Sequence, residues 1–378
     1  MSMIVKNEAH VIRRCLDSVR PIIDHWIIVD TGSTDGTQDV IRAAMAYKPG
    51  TLLDRPWVDF AHNRTEALDL ARSHGDYTLV IDADDELIIP TGFVMPNLDA
   101  PGYNVLIHDI ATRYPRTQLF KNTMPWCYRG VLHEFADCKE LAPTAPLPLA
   151  MNRGHDGARR RDDATYMRDV EILERAIKNE KDPFLISRYT FYLAQSYRDC
   201  SEKRKVLDAY LRRTKLGFWD EEIYISYLSA ALLMESLGEP FDKVIATFDI
   251  AIALNPRRVE ARYHASRYCQ SKGRFVEGYH YAAAGGELTL PGDGLFLQPW
   301  MYNYGMQDKI AVNAFNTRQP RVCISACLAL LSRPDFPAQD RPQRVGLARQ
   351  ALASMVDPAW GANHSSYVSV YSPGWDSP

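Results

Sequence analysis

Asp82, Asp84, Asp85 and Glu86 fall within five residues, directly behind the apolar run of DYTLVIDADDEL. Carboxylates crowded this way repel one another unless a cation or ligand hydroxyls absorb the cost; a solvated acidic turn is the bland alternative. Asp30 closes a second apolar run, in HWIIVDTGSTDGT (25–37), and Lys6, Asn7 and Glu8 follow a third. His133 and Glu134 stand side by side in GVLHEF (130–135), and His155 sits in NRGHDG (152–157). Other chemistries lack their signatures. There is no GxxxxGKS phosphate loop, no GxSxG elbow and no HExxH, and TGSTDGT lacks the GxGxxG spacing.

The elements that must carry these residues are legible in residues 1–150. Short apolar runs (25–30, 76–82, 103–110) alternate with helical stretches (9–19, 37–47, 65–75). That grammar predicts βαβ units and a mostly parallel sheet, with ligands bound beyond the carboxyl ends of its strands. The acids therefore stand at the mouths of buried strands. Asp35 in GSTDGT reads as an N-cap for helix 37–47. From residue 157 the pattern changes. GARRRDDATYMRDVEILERAIKNEKD is polar, then helical. YTFYLAQSY (189–197), ISYLSAALL (225–233) and EARYHASRY (260–268) then align on Ala194, Ala230 and Ala265, each followed by a second helical stretch. Paired helices at a period near 34 are the tetratricopeptide signature, here divergent. Tyr189, Tyr192, Tyr197, Tyr263 and Tyr268 are expected to pack between helices. Helices continue over 295–356, and the Gly-, Ser- and Pro-rich residues 357–378 read as a loose tail.

The chain has 378 residues, 46% of them hydrophobic and 24% charged, with a net charge of -3. Two globular domains fit that length. The acidic balance weighs against a general nucleic-acid binder. No apolar run is long enough to span a bilayer, and MSMIVKNEAH does not read as a signal peptide. Seven scattered cysteines without a CxxC pair predict reduced thiols and a cytoplasmic protein. Cys323 and Cys327, one helical turn apart, read as buried small residues rather than a metal site.

Taken together, MIVKNEAHVIRRCLDSVRPIIDHWIIVDTGSTDGT, RPWVDFAHNRTEALDLARSHGDYTLVIDADDEL and RTQLFKNTMPWCYRGVLHEF resemble the family 2 glycosyltransferases of GT-A fold. More narrowly, they resemble the branch carrying tetratricopeptide repeats behind the catalytic domain. The likeness covers about residues 1–285. There are two departures. The first strand begins almost at Met1, where the family has a few more residues. HNRTE keeps Arg64 of the FxxARN pattern but puts Thr65 where Asn is usual.

The resemblance implies an α/β GT-A domain over 1–156 and a helical repeat domain over 157–356. It implies transfer of a sugar from a nucleotide diphosphate sugar, a UDP-sugar foremost, with inversion. A manganese or magnesium ion on carboxylate oxygens would stabilise the leaving diphosphate. Asp84 would bind that ion directly. Asp82 would hold the ribose hydroxyls and help position the metal. Asp30 would accept from the base, and Asp85 and Glu86 would position their neighbours. Glu8 would border the nucleoside or cap helix 9–19, and Arg64 would contact the nucleoside or diphosphate. Glu134 would be the acceptor-side base. His133 would orient Glu134 or touch the diphosphate. His155 would complete the metal shell or be structural. ARRR (158–161) is a hinge or a phosphate clamp, and Trp126 lines the acceptor cleft or the core. The acceptor would be a peptide, protein or glycan, with the repeats binding it or forming a homodimer. Two alternatives stay open: a non-catalytic repeat scaffold with a residual sugar domain, and a transferase acting on modified DNA bases, which the acidic balance disfavours.

Overall fold

The computed structural model describes residues 1–110, 112–161, 165–200 and 202–355; the tail expected over 357–378 lies outside them. The chain divides into two compact units, one ending at Ser201 and the other beginning at Glu202.

The first unit opens with β1 (Ser2–Val5), α1 (Ile12–Val19), β2 (Trp26–Asp30), α2 (Thr37–Met45), β3 (Gly50–Asp54) and α3 (Phe60–Ala71). β2 runs parallel between β1 and β3. Being central, it is buried at all five residues. Its Ile28 packs with Ile12 and Leu16 of α1 and Ile41 of α2 in one core cluster, and each such side chain contributes about 1.5–3 kcal/mol on burial. α3 begins at Phe60, not at Thr65, because Asp59 caps it: the carboxylate accepts from His62 N at 2.8 Å.

The remaining strands are β4 (Tyr77–Leu79), β5 (Glu86–Ile88), β6 (Gly102–Asp109), β7 (Thr112–Lys121), β8 (Trp126–Arg129), β9 (Phe135–Cys138) and β10 (Thr144–Asn152). They correct the expectation of a mostly parallel sheet. The order is β4-β7-β6-β10-β5, and only β6 and β10 run parallel. The cause is the β6–β7 hairpin, whose second strand, TRYPRTQLFK, is too polar to read as a buried strand. A parallel bridge from Ser2 to Val80 joins this sheet to β1. β8 and β9 form a separate antiparallel pair.

Two helices complete the first unit, α4 (Thr165–Asn179) and α5 (Pro183–Asp199). α5 carries the first repeat motif and starts as a helix should, with Asp182 accepting from Phe184 N at 2.9 Å and proline at the first turn.

The second unit holds α6 (Lys203–Arg213), α7 (Asp220–Ser236), α8 (Phe241–Leu254), α9 (Glu260–Ser271), α10 (Phe275–Gly285), α11 (Met306–Asn316), α12 (Pro320–Leu331) and α13 (Arg341–Ala353), each packed on the next. Ala194, Ala230 and Ala265, the alignment points of the repeat, are all fully buried. A small residue there lets neighbouring helices approach closely. Ala230→Leu is accordingly expected to lower stability by about 1–3 kcal/mol through overpacking, read as a lower urea midpoint with an unchanged m-value.

Cys323 and Cys327 are buried in α12. Among the described residues no helix is long and apolar enough to cross a membrane.

Candidate active site

Three loops at the carboxyl ends of β1, β2 and β4 form the floor of the site. The first two are tied together by side-chain hydrogen bonds. Asn7 N donates to Ser33 Oγ at 2.9 Å, Thr34 N to Asn7 Oδ1 at 2.8 Å, and Glu8 N to Thr37 Oγ1 at 2.8 Å. The N-cap of α2 is Gly36 rather than the expected Asp35; Asp35, one residue earlier, accepts from Thr37 N at 3.1 Å and from Ala9 N at 3.0 Å and so braces the two loops.

Asp30 lies in that rim, fully buried. Its Oδ1 accepts from Gly32 N and Ser33 N, both at 2.7 Å. Its Oδ2 is buried with no hydrogen-bond partner among the described residues. A buried acceptor left unpaired is costly, and such an atom calls for an explanation. A donor N–H supplied by a ligand is one.

From Ile81 to Leu87 burial alternates residue by residue. Asp82, Asp84 and Glu86 are half-buried, whereas Ala83, Asp85 and Leu87 point inward. Asp85 is thus the acid placed in the core. It accepts from Gly154 N at 2.9 Å and faces Arg116 at 3.5 Å, and it fastens the NRGHDG loop to the acidic turn. Burial, and then the charge of Asp82, raise its pKa to about 7. Asp84 sits in a cradle made by that loop. A Cβ at Gly157 would stand 2.7 Å from its Oδ2, and one at Gly154 would overlap its backbone. Arg14 donates to the Asp84 carbonyl at 2.7 Å. A cavity of about 400 Å³ is lined by Arg14, Asp84, Glu86, Asn152, Arg153, Gly154, His155 and Asp156. His155 and Asp84 therefore face the same space. The His155 Nε2 lies 3.0 Å from Asp109 Oδ1. A carboxylate on one ring nitrogen is the usual outer partner of a metal-binding histidine.

Asp82 turns the other way. Arg64, on α3, donates from Nη2 to Asp82 Oδ1 and from Nε to Glu134 Oε1, each at 2.5 Å. The guanidinium is 11% exposed, so Arg64 is no surface arginine. Burial opposes its charge, but the two carboxylates raise its pKa and keep it ionised. Thr65, the departure from the family pattern, accepts from Tyr128 N at 2.8 Å and pins α3 to β8.

Glu134 and His133 lie in the loop joining β8 to β9, and they part company there. Glu134 reaches Arg64, whereas the His133 ring stacks on Tyr192 of α5, 3.8 Å between centroids and 8° from parallel. Enclosure of the imidazole, and then the charges of Arg159, Arg188 and Arg153, lower its pKa, so it is neutral at pH 7. The residue keeps an exposed surface, and solvent limits the size of that shift. Trp126 is core: it packs with Leu68, Val80 and Phe120. Arg159 pairs with Asp169 and lies over the Phe60 ring. The side chains of Arg160 and Arg161 lie outside the described residues.

Glu8 does not cap α1. Its carboxylate accepts from Ala158 N at 3.1 and 3.2 Å, at the start of a 3-10 turn over Ala158–Arg161. Burial raises its pKa to about 7, with the Ala158 hydrogen bond opposing and Asp84 adding to the rise. A carboxyl raised in the folded state stabilises fully below its unfolded pKa, and that contribution is lost as pH rises through about 7. In metal-free buffer Glu8→Gln is expected to reduce the loss of stability between pH 5 and pH 8 by roughly 1 kcal/mol, measured by urea unfolding at the two pH values. An unaltered slope would mean that the charge resides elsewhere.

Residues 2–91 match the family described as Glycosyl transferase family 2. This chain carries a family 2 glycosyl transferase domain. The matched stretch contains Glu8, Asp30, Arg64, Asp82 and Asp84. A glycosyltransferase of Rickettsia felis, described as uncharacterized, is 38% identical over 86 residues, 22% of this chain and 28% of that protein. A TPR repeat-containing protein of Synechococcus elongatus is 31% identical over 215 residues, 52% of each. The chain thus spans about half, or less, of the length of these curated relatives. Among solved structures, Staphylococcus aureus TarS aligns at a TM-score of 0.31 and 12% identity, over 64% of this chain and 53% of that one. A Thermus thermophilus TPR protein aligns at 0.31 and 14%, over 50% and 92%.

The family 2 domain supplies Asp30, Asp82 and Asp84 from strand ends, which sequence pattern reveals. Residues that hold the site together were not expected: Arg14 on Asp84, Arg116 on Asp85, Asp109 on His155. Each lies far along the chain from its partner, and no local pattern pairs the two.

Proposed function

We propose that this chain is a metal-dependent, inverting glycosyltransferase acting in the cytoplasm on a nucleotide diphosphate sugar, a UDP-sugar foremost, with a peptide, protein or glycan as acceptor. The observation that carries the reading is the unpartnered Oδ2 of buried Asp30 at the carboxyl end of a central parallel strand, where α/β sheets bind ligands. It suits the N–H of a pyrimidine base. Asp82 would meet the ribose. Seven scattered cysteines without a CxxC pair favour a reducing compartment. The helical repeats would carry the acceptor or a second copy of the chain.

The residues fit a manganese or magnesium ion. Asp84 and His155 line one cavity; the carboxylate oxygen suits either ion, whereas a direct bond from the imidazole nitrogen would favour manganese over the harder magnesium. Among the described residues no three His, Cys, Asp or Glu side chains form a metal-holding group, so these two residues would leave positions for substrate oxygens. When bound, the ion would stabilise the charge of the leaving diphosphate. Glu134 would accept the proton of the attacking nucleophile, and Arg64 would hold Glu134 and Asp82 in register.

The test is thermal stabilisation across a panel of nucleotide sugars, with manganese and with chelator, beside Asp84→Asn. Ligand at 100 times its dissociation constant adds about 2.7 kcal/mol. Stabilisation that needs the metal and is lost in the variant supports the donor site. A flat response from folded protein would move the reading to a scaffold.

A further inference from the structure

The loop that carries Glu134 is held in a conformation it would not adopt alone. It runs from Gly130 to Glu134 between β8 and β9. Gly130 has φ +104° and His133 has φ +51°. A non-glycine residue in the left-handed region costs about 1–3 kcal/mol and persists only where its surroundings enforce it.

The enforcing surroundings come from one face of α5. Arg188 donates to the His133 carbonyl twice, from Nε at 3.2 Å and from Nη2 at 2.8 Å. The Tyr192 ring covers the His133 imidazole. Tyr189 accepts from Val131 N at 3.1 Å. Residues 188, 189 and 192 share a helix face, being one and four positions apart. Asp182, the cap of the same helix, pairs with Arg129 at the end of β8. The geometry matters for Glu134 in particular. The His133 carbonyl belongs to the peptide plane that ends at Glu134 N. Fixing that oxygen fixes the root of the Glu134 side chain, while Arg64 fixes its tip. The tyrosines at 189 and 192 therefore do not simply pack between helices, as their repeat register implies. They grip a loop of the sugar-transfer domain.

We propose that Arg188, Tyr189 and Tyr192 are positioning residues for Glu134, so that the first repeat-motif helix holds the loop carrying Glu134 in place rather than being an appended docking element. This rests on the reading of Glu134 as the acceptor-side base. A carboxylate displaced by about 1 Å loses on the order of 10²-fold in rate.

The experiment uses the full-length chain with Arg188→Ala, Tyr192→Ala and Tyr192→Phe. Three readouts are taken: amide hydrogen exchange across 130–135, thermal stabilisation by UDP with manganese, and UDP release from UDP-glucose and UDP-N-acetylglucosamine. In both alanine variants exchange at 130–135 is expected to rise about ten-fold or more. UDP release should fall roughly 10- to 100-fold through kcat, with the donor KM and the UDP-induced stabilisation retained. Tyr192→Phe, which keeps the stacking ring, should behave as the unaltered chain. Unchanged exchange in the alanine variants overturns the proposal, because the loop then holds itself. Looser exchange with undiminished turnover also overturns it. If the unaltered chain neither binds UDP nor releases it, the glycosyltransferase reading fails, and the positioning proposal falls with it even where exchange shows the grip itself.

Discussion

Glu134→Gln is expected to lower sugar transfer by about 10²–10⁴-fold while nucleotide binding survives. The amide keeps the shape of the side chain and an oxygen for Arg64, whose Nε stands 2.5 Å from Glu134 Oε1. What it cannot do is take a proton from the attacking nucleophile. The loss should therefore appear in kcat, with the donor KM and the UDP-induced thermal shift little changed, the pattern of an interaction made in the transition state alone. UDP release, followed continuously in the presence of acceptor, reads the first quantity, and thermal unfolding reads the second. A variant that keeps more than a tenth of the activity would place the base elsewhere.

Arg64→Met should act on stability and on binding together. The side chain lies between two carboxylates, with Asp82 34% and Glu134 13% exposed. Removing the cation leaves both charges without the partner that offsets their desolvation. Breaking a buried pair costs about 3–5 kcal/mol, and the partial exposure of Asp82 puts this case at the lower end. The pH dependence should steepen as well. In the unaltered chain burial opposes ionisation of Asp82, but Arg64 and then Arg116 hold its pKa below the usual range. A depressed carboxyl stabilises above its unfolded pKa, and that contribution is lost as pH falls through the lower folded value. Without Arg64, burial prevails and the pKa rises. Stability at Asp82 is then greatest at low pH and declines as pH rises. Urea unfolding at pH 4.5 and 7.5 would show a steeper fall of stability with rising pH in the variant, because Asp82 of the unaltered chain is ionised across that window and adds no slope there. Equal stability of variant and unaltered chain would mean that the guanidinium does not occupy this bridge in solution.

How much of this was readable in advance depends on range along the chain. Asp30 and the acidic turn at Asp82–Glu86 announce themselves because a buried strand is a local, contiguous apolar run, and the acids follow directly. The helical repeat is also local: three alanines at near-constant spacing mark positions that are all buried. The bridge through Arg64 is not local. Its two partners stand 18 and 70 residues away, and nothing in HNRTE states which direction the guanidinium takes. The same holds for Glu8, whose partner lies 150 residues on, and for the sheet, where the polar pattern of β7 hid a hairpin. The start of α3 was missed for a different reason. The cap at Asp59 is a short-range signal, but it precedes a stretch, FAHNRT, with no strong apolar period.

The long reach from Glu8 to Ala158 also bears on how the chain comes off the ribosome. The parallel strands β1, β2 and β3 are complete by Asp54 and need nothing later to pair. The acidic turn emerges some thirty residues afterwards, but Arg116, Gly154 and Ala158, which brace Asp85 and Glu8, are made later still. Synthesis at roughly 5–20 residues per second therefore leaves the nascent domain for several seconds with a cluster of negative charge whose braces are not yet made. Contacts of such wide sequence separation are slow to form. The candidate site can thus be braced only after Ala158 is made, and a stall in translation before residue 158 would present the acidic turn without Gly154 or Ala158 to hold it.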